Sequence, residues 1–536
     1  MVNNIRSGRP TFAASSETKF SSSQLTPEAA LDGLDISRWT TVPVSNDFAA
    51  RAISLYLRTD HLLLCPFNQE LFLKSLLSPE QDPYCTPCLV NALMYWCCQI
   101  MAPAEQEATK LAGLFREEAE KLRKANGQAP TALQMATEMF LSLGDLAQGK
   151  DDSTSGHLSE ATLIGVNLCL FGVPEDIAWA ALSRATPEEV QANMYPTWGA
   201  FNWVVLMSLF FRQQGIIYPE DPPVMPIPSS VTGPPNPEAL EDDYIERGQL
   251  PTENESEHDT LFRSLCQFWR IMHEVTSVYH ENRERFVQGT MSLQFAEYKY
   301  RELLAWADTL PQNLSRSDDN ANIVVILHLW LHSAILDIFR PFLRNDITFE
   351  SQKRLKTFAT ADATPESAYN ASVEQLKQLI LSNTAEVGSS SYSVIWQTAL
   401  LFSANAMLRS KDEDRLEYFL LCLYSFCATR HSFRMTVSIA RAILSMAMQQ
   451  GEISGTLASM IIADLRARAP EGQEPGEEGL AAPTLAELES VVLDQELGTE
   501  HLAGHPDDIA WISRYNDLFQ GIEVPERPKA KPTVDE

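Results

Sequence analysis

The residues best suited to chemistry in this chain are the cysteines near position 90. Cys85 and Cys88 form a Cys-x-x-Cys pair, and Cys97 and Cys98 follow shortly after it. Such a pair serves as a redox dithiol or as half of a zinc site. A redox pair is expected in a βαβ context, which the sequence does not show, and a zinc site requires a second pair. Adjacent residues of a helix point about 100° apart, so Cys97 and Cys98 do not supply that pair. The pattern favours a structural role at the start of a buried helix.

Two histidines, His328 and His332, stand four residues apart, so both would lie on one face of a helix, as two metal ligands do. Zinc proteases place a glutamate directly after the first histidine, and Leu329 occupies that position here. No carboxylate follows at a useful spacing. We therefore interpret both histidines as partly buried packing residues.

Asp60 and His61 are adjacent and could form a base and its orienting partner, but neighbours on a helix do not face each other. We expect His61 in the last turn of a helix, where a positive charge suits the negative end of the helix dipole. No nucleophile elbow and no phosphate-binding glycine loop accompanies this pair. The sequence predicts no catalytic, cofactor-binding or metal-binding residue, and the chain is not expected to be an enzyme.

The C-terminal region contains a candidate docking helix at residues 508–519. Its aromatic and apolar residues share one face at helical spacing: Trp511, Tyr515, Leu518 and Phe519. Acidic and aromatic residues mixed in this way suit an activation segment that binds a groove on a partner protein. Packing of the same face onto the rest of the chain explains the pattern equally well. The basic residues of 527–531 are a weak candidate for a nuclear-import signal, with a solvated tail as the alternative.

Helical periodicity runs through most of the chain and predicts an all-α fold. In residues 46–101, Ala49, Ile53, Tyr56 and Leu57 form one apolar stripe, and the segment after Leu89 is almost continuously apolar. That segment is too short to span a bilayer and suits a central core helix. Further helices are predicted at 105–124, 130–146 and 260–285. Pro130 is expected in the first turn of its helix, where the missing N–H costs nothing.

Composition divides the chain into five parts. Residues 1–45 are rich in Ser and Thr without periodicity and are predicted to be a disordered lead-in. Residues 46–217 and 259–465 are predicted to be the two halves of one large helical domain. A Pro-rich acidic linker at 218–258 joins them. Residues 466–536 are predicted to be an acidic, largely disordered tail that carries the short amphipathic helix.

The chain has 536 residues and a formal net charge of −30. A surface this acidic repels phosphate backbones, so direct nucleic-acid binding is not expected and the partners are predicted to be proteins. The nine cysteines are odd in number and lie mostly in apolar segments, which favours a reducing compartment over a disulfide framework. No secretory signal and no uncharged apolar run of transmembrane length is recognised, so no membrane association is expected.

Four stretches of the chain occur in an order that is typical of one family. They are residues 46–101, the Trp198-Gly199 pair with the apolar segment behind it, the segment 300–344 with Arg340-Pro341-Phe342, and residues 418–451. Together they resemble the regulatory domain (middle homology region) of fungal zinc-cluster transcription factors of the nitrate-assimilation type. The resemblance covers about residues 46–451. Gln213-Gln214 stands where family members carry prolines.

The resemblance implies a nuclear transcriptional regulator whose partners are the transcription machinery or a dimer partner. The family's zinc cluster needs six cysteines in a short basic segment, whereas the first cysteine here is Cys65, so zinc is expected only if such a cluster precedes this chain. Two versions stay open, a truncated sequence or a regulator without its own DNA-binding module. The competing class is a small-molecule sensor or enzyme with an inter-helix pocket, lined by aromatic residues such as Trp198, Phe201, Trp203 and Phe211.

Overall fold

A computed structural model shows how these segments pack. It describes residues 29–78, 83–103, 105–125, 130–211, 216–228, 257–283, 292–316, 322–343, 354–358, 363–385, 395–410, 412–428, 433, 435–449, 453–455, 457–458 and 461. All regular elements within these residues are helical, which confirms the predicted all-α fold.

Sixteen α-helices follow one another in the described residues. They are α1 (Asn46–Arg58), α2 (His61–Leu64), α3 (Gln69–Leu77), α4 (Pro87–Met101), α5 (Gln106–Ala125), α6 (Ala132–Ala147), α7 (Asp151–Asn167), α8 (Glu175–Leu182), α9 (Pro187–Leu206), α10 (Glu257–Arg283), α11 (Leu293–Asp308), α12 (Asn322–Phe339), α13 (Pro365–Ala385), α14 (Ile395–Arg409), α15 (Arg415–Ala428) and α16 (Met435–Gln449). A π-helical turn, Met207–Phe211, extends α9.

Polar side chains fix where several helices begin. Ser45, Asn68 and Thr86 each accept a hydrogen bond from the backbone N–H three residues further on, which satisfies one of the free donors of the first turn. Helix α6 begins at Ala132, because Thr131 and Gln134 form a capping box there. Pro130 therefore precedes the cap, and the prediction that it lies inside the first turn is wrong.

Helix α4 is the central element, as its apolar sequence predicted. From Leu89 to Met101 every residue is buried, and α1, α5 and α6 pack against it. The stripe predicted for α1 is confirmed, since Ala49, Ile53 and Tyr56 are fully buried. Burial on all sides of α4 explains why its sequence is mostly apolar and has no exposed polar face, with Asn91 and Gln99 buried among the apolar residues.

Residues 29–45 are ordered, and the prediction of a disordered lead-in is wrong for them. Two short 3₁₀ helices, Ala29–Leu31 and Ile36–Arg38, bury Leu31 and Ile36. The Trp39 indole donates a hydrogen bond of 3.0 Å to the Leu76 carbonyl at the end of α3. These apolar residues lack helical spacing because they lie in turns, so a search for periodicity misses them.

Residues 216–228, which include the first part of the Pro-rich segment, have no regular secondary structure and pack against the helices. Trp198 of α9 donates to the Met225 carbonyl at 3.0 Å, and the Gly172 N–H donates to Asp221 at 2.8 Å. His273 of α10 hydrogen-bonds the Pro219 carbonyl at 3.0 Å. Helix α10 also packs on α9 and α2, so one apolar core contains residues from both sides of this segment.

One described stretch, Ile323–Leu343, is long and apolar enough to cross a membrane by length and composition. It comprises most of α12 and the 3₁₀ turn that follows. In its most apolar window 89% of the residues are buried inside the protein, as in a core helix. Packing against α13 and α14 accounts for its apolar sequence.

Candidate functional site

Two histidines and a cysteine meet where α2 and α10 pack together. His61 is the first residue of α2, Cys65 follows its last residue, and His258 lies at the start of α10. The nitrogen and sulfur atoms of these three side chains that could bind a metal lie within 4.8 Å of one another. The Cys65 Sγ atom is 3.2 Å from His258 Nε2. We call this group the His–Cys–His cluster.

The backbone at Cys65 is in the left-handed region, with φ 39° and ψ 53°. A residue with a side chain seldom adopts this conformation, and such strain is concentrated at functional positions. Helix α9 holds it in place through Gly199, where an added Cβ would lie 2.7 Å from the Cys65 carbonyl oxygen and 2.8 Å from that of Leu64. Only glycine allows this approach, so close packing explains why glycine follows Trp198 at position 199.

Both histidines of the cluster are oriented through their Nδ1 atoms. His61 Nδ1 lies 3.1 Å from the Tyr56 hydroxyl, and His258 Nδ1 lies 3.6 Å from Asp259 Oδ1. Asp259 is itself fixed by a 2.8 Å hydrogen bond from the Tyr195 hydroxyl. His61 Nε2 is buried and has no hydrogen-bond partner among the described residues. The two rings are nearly parallel, with their centroids 5.7 Å apart.

Burial sets the charge of the cluster. It lowers the pKa of His61 well below 6.5, with a further contribution from His258, so this imidazole is neutral at physiological pH. Burial also raises the pKa of the Cys65 thiol well above 9, and Cys266 and Asp259 add to the effect. Without a bound cation, the His61 and Cys65 side chains are therefore both uncharged.

Cys65, His258 and Asp259 are placed like a nucleophile, a base and its orienting group. A nucleophile must reach a substrate, however, and Cys65 is 0% exposed. Its raised pKa also disfavours the thiolate that would attack. The arrangement is better suited to donating one sulfur and two nitrogen atoms to a bound ion.

The cysteines singled out in the sequence lie apart from this cluster. Thr86 caps α4 and Pro87 is its first residue, so Cys85 and Cys88 flank a helix start. The Cys88 sulfur lies 3.5 Å from the Ala119 carbonyl oxygen, and burial raises the pKa of this thiol to about 12. Cys97 and Cys98 are fully buried in α4. Their surroundings are those of structural cysteines.

His328 and His332 share one helix, α12, but their nitrogens go to different partners. His328 Nε2 is 2.9 Å from the Leu314 carbonyl oxygen, and His332 Nδ1 is 3.3 Å from the Ser372 hydroxyl. Burial lowers the pKa of both residues, that of His332 to about 3. They pack as neutral side chains, in agreement with the interpretation from the sequence.

The expectation for His61 is wrong in one respect. Helix α1 ends at Arg58, and His61 lies in the single turn of the four-residue helix α2, so its place in a last turn is as expected but its charge is not. It is fully buried and neutral, and a neutral ring gives no charge to the helix dipole. Asp60 and His61 have separate partners, as expected, since Asp60 accepts a 2.9 Å hydrogen bond from Trp96 Nε1.

The aromatic residues proposed to line a pocket form part of the core instead. Trp198, Phe201 and Trp203 are at most 2% exposed, and the Trp203 indole donates to the Ser142 hydroxyl at 2.8 Å. The side chain of Phe211 lies outside the described residues. The docking helix at 508–519, with Trp511, Tyr515, Leu518 and Phe519, also lies outside the described residues, and its role stays a prediction.

A second group of charges lies between α5, α6 and α7. The buried Asp145 carboxylate accepts hydrogen bonds from Arg116 at 2.6 and 2.8 Å and from Tyr95 at 2.9 Å. Burial alone would raise the pKa of Asp145, but the hydrogen bonds from Arg116 and Ser153 outweigh it, and the pKa is held below 3.8. An open groove beside this network is lined by charged residues of both signs, among them Arg116, Glu120, Lys121 and Arg123.

Sequence reasoning missed the His–Cys–His cluster. His61 and Cys65 stand four residues apart, a spacing that could have been noticed. His258 lies 193 residues further along the chain from Cys65, and no local pattern connects them.

The described residues form an all-α protein whose core joins helices from both sides of a Pro-rich segment. No family model matches the chain, and a search of solved structures gives no significant match. Among curated proteins the chain is similar to the notoamide biosynthesis transcriptional activator notL' of Aspergillus versicolor, with 24% identity over 428 residues. The alignment covers 77% of this chain and 66% of that protein. A distant relative of the chain is therefore a fungal transcriptional activator.

Proposed function

We propose that this chain is the regulatory part of a nuclear fungal transcription regulator and has no enzymatic role. The observation that carries the proposal is the similarity to a fungal transcriptional activator over 428 residues, most of the chain. The described residues of the four stretches that resemble the middle homology region are mainly helical, which supports a helical regulatory domain.

Charge indicates how the chain would act on transcription. With a formal net charge of −30 it is repelled by phosphate backbones, so we propose that it works through protein contacts. DNA recognition would be supplied by a zinc-cluster segment or by a dimer partner. The acidic and aromatic helix at 508–519 is the proposed contact with the transcription machinery.

A tethering experiment tests this proposal. The full chain is fused to a heterologous DNA-binding domain in a fungal reporter strain, and transcription is compared with that from the DNA-binding domain alone. We expect the fusion to change reporter output several-fold in either direction, since a regulatory domain can restrain as well as activate. Reporter output equal to that of the DNA-binding domain alone, with the fusion present in the nucleus, would refute the proposed function.

Matched variants test the docking helix within the same fusion. Trp511→Ala with Phe519→Ala removes its apolar face, whereas Ser513→Ala with Asn516→Ala alters the opposite face. The first pair should abolish the change in reporter output, and the control pair should leave it intact. An equal effect of both pairs would show that the helix does not dock through this face.

A second candidate function, effector sensing, is favoured by the charged groove beside Arg116 and Asp145. A thermal-shift screen of charged metabolites on the purified chain tests it. A ligand for this groove should raise the unfolding temperature of the wild type but not of an Arg123→Ala variant.

A further inference from the structure

We propose that the His–Cys–His cluster binds one transition-metal ion of the zinc class, held by His61, Cys65 and His258. This inference goes beyond the proposed function and does not depend on it. The site differs from the zinc cluster implied by the family resemblance, which uses six cysteines before the regulatory domain.

The buried Nε2 atom of His61 is the observation that points to a ligand. Its ring is 0% exposed, and Nε2 has no hydrogen-bond partner among the described residues. A buried polar atom without a partner costs free energy, and native proteins usually satisfy such atoms. Cys65 and His258 supply two further donors, and one donor atom from each of the three residues lies within 4.8 Å of the other two. A bound cation would satisfy all three at once.

The separations suit a tetrahedral ion after a small adjustment. With metal–nitrogen bonds of about 2.0 Å and metal–sulfur bonds of about 2.3 Å, donor atoms around such an ion lie roughly 3.4–3.6 Å apart. Cys65 Sγ and His258 Nε2 are already 3.2 Å apart, and all pairs lie within 4.8 Å. Side-chain movements of about 1 Å therefore bring the donors to bonding distance.

Groups behind the histidines complete the pattern of a metal site. Metal-binding histidines usually hydrogen-bond a second group through the nitrogen that does not bind the metal. The Tyr56 hydroxyl occupies that place for His61 at 3.1 Å, and the Asp259 carboxylate lies 3.6 Å from Nδ1 of His258, in ion-pair range. The Tyr195 hydroxyl donates a hydrogen bond to Asp259 and fixes the position of that carboxylate beside His258.

The donor types select the metal. One thiolate and two imidazoles suit Zn²⁺, Co²⁺ or Cu⁺, whereas Ca²⁺ and Mg²⁺ prefer oxygen ligands. Cys65 would release its proton to solvent as the cation binds, because the cation replaces the missing stabilisation of a buried thiolate. Three protein donors leave a fourth position for water or an external ligand. His258, whose side chain is 23% exposed, provides the route of entry.

Such an ion would connect the two sides of the Pro-rich segment. His61 begins α2, Cys65 directly follows it, and His258 belongs to α10, so binding would link segments far apart in sequence. An ion that binds only this folded arrangement stabilises it by mass action. Metal loading would therefore hold α2 and α10 together.

Cobalt(II) titration of the purified full chain, after treatment with a chelator, tests the site. We expect the near-ultraviolet thiolate-to-cobalt band and the visible bands of tetrahedral cobalt, saturating at one equivalent and removed by zinc. Absence of these bands in the wild type would overturn the proposal.

Variants locate the ion. His258→Gln and Cys65→Ser should each weaken cobalt binding by 100-fold or more, and Asp259→Asn by about 10-fold through its orienting role. Cys169→Ser is the matched control, because Cys169 is a half-buried cysteine outside the cluster. Unchanged binding in His258→Gln would refute the assignment.

A stability measurement separates lost binding from lost folding. His258 is partly exposed, so His258→Gln is expected to retain the circular dichroism spectrum of the wild type. Zinc should raise the unfolding temperature of the wild type and of Cys169→Ser, and leave that of His258→Gln unchanged. An equal rise in all three proteins would place the ion elsewhere and overturn the proposal.

Discussion

Gly199 allows a close approach of α9 to the end of α2, and Gly199→Ala tests whether that packing is as tight as the structure indicates. A Cβ at this position would lie 2.7 Å from the Cys65 carbonyl oxygen and 2.8 Å from the Leu64 carbonyl oxygen. Both are backbone atoms at the end of α2, so neither can rotate away as a side chain would. The new methyl group can be accommodated only if one helix moves.

The expected change in unfolding free energy combines two opposing contributions. Alanine is favoured over glycine within a helix by about 1 kcal/mol. Overpacking of a close contact costs about 1–3 kcal/mol, and two backbone clashes place Gly199 at the upper end. We therefore expect Gly199→Ala to lower the free energy of unfolding by about 2 kcal/mol.

Two other helical glycines serve as matched controls. Gly113 in α5 and Gly156 in α7 have no atom within 4 Å of the position of an added Cβ. Gly113→Ala and Gly156→Ala should each raise stability by up to about 1 kcal/mol through helix propensity alone. The unfolding free energy of Gly199→Ala should then be about 3 kcal/mol lower than that of either control.

Urea unfolding followed by circular dichroism measures this contrast. The midpoint should fall for Gly199→Ala and rise slightly for the two controls, with similar slopes in all variants. The close packing of α9 on α2 would be refuted if Gly199→Ala unfolded at the same urea concentration as Gly113→Ala.

Three further predictions concern other parts of the core. Asp145→Asn leaves the Arg116 guanidinium without its buried counter-charge and should lower the free energy of unfolding by about 3 kcal/mol. The control Asp47→Asn breaks an exposed pair with Arg51 and should change this free energy by less than about 0.5 kcal/mol. Urea unfolding measures both values. Burial, with His328 and Arg316, lowers the pKa of His332 to about 3, so its neutral form contributes fully to stability above pH 6.5 and that contribution is lost as the pH falls towards 3. His332→Gln should therefore recover about 2 kcal/mol of the stability that the wild type loses between pH 6.5 and pH 5, and parallel curves would contradict this. Trp39→Phe removes the hydrogen bond to the Leu76 carbonyl and should cost about 1–3 kcal/mol by thermal unfolding, while no change would show that residues 29–45 do not pack on α3.

Much of the fold was predictable because helical periodicity is a local property. The spacing of apolar residues three and four positions apart predicts which residues are buried, as it does for Ala49, Ile53 and Tyr56 of α1 and for the apolar run of α4. The order of residues 29–45 was not predicted, because Leu31, Ile36 and Trp39 are buried residues in short turns, and turns have no sequence periodicity. Composition alone therefore underestimated the ordered part of the chain.

The sequence by itself determined that this protein is helical and which helix is central, since both depend on local spacing. Only the tertiary structure decided the character of His61, whose burial removes the positive charge expected at a helix end. It also decided that His61 and Cys65 meet His258, 193 residues beyond Cys65 in the chain. A pKa and a set of metal donors depend on atoms that packing brings within a few ångströms of one another. Local sequence patterns do not predict such distances between residues that are far apart in the chain.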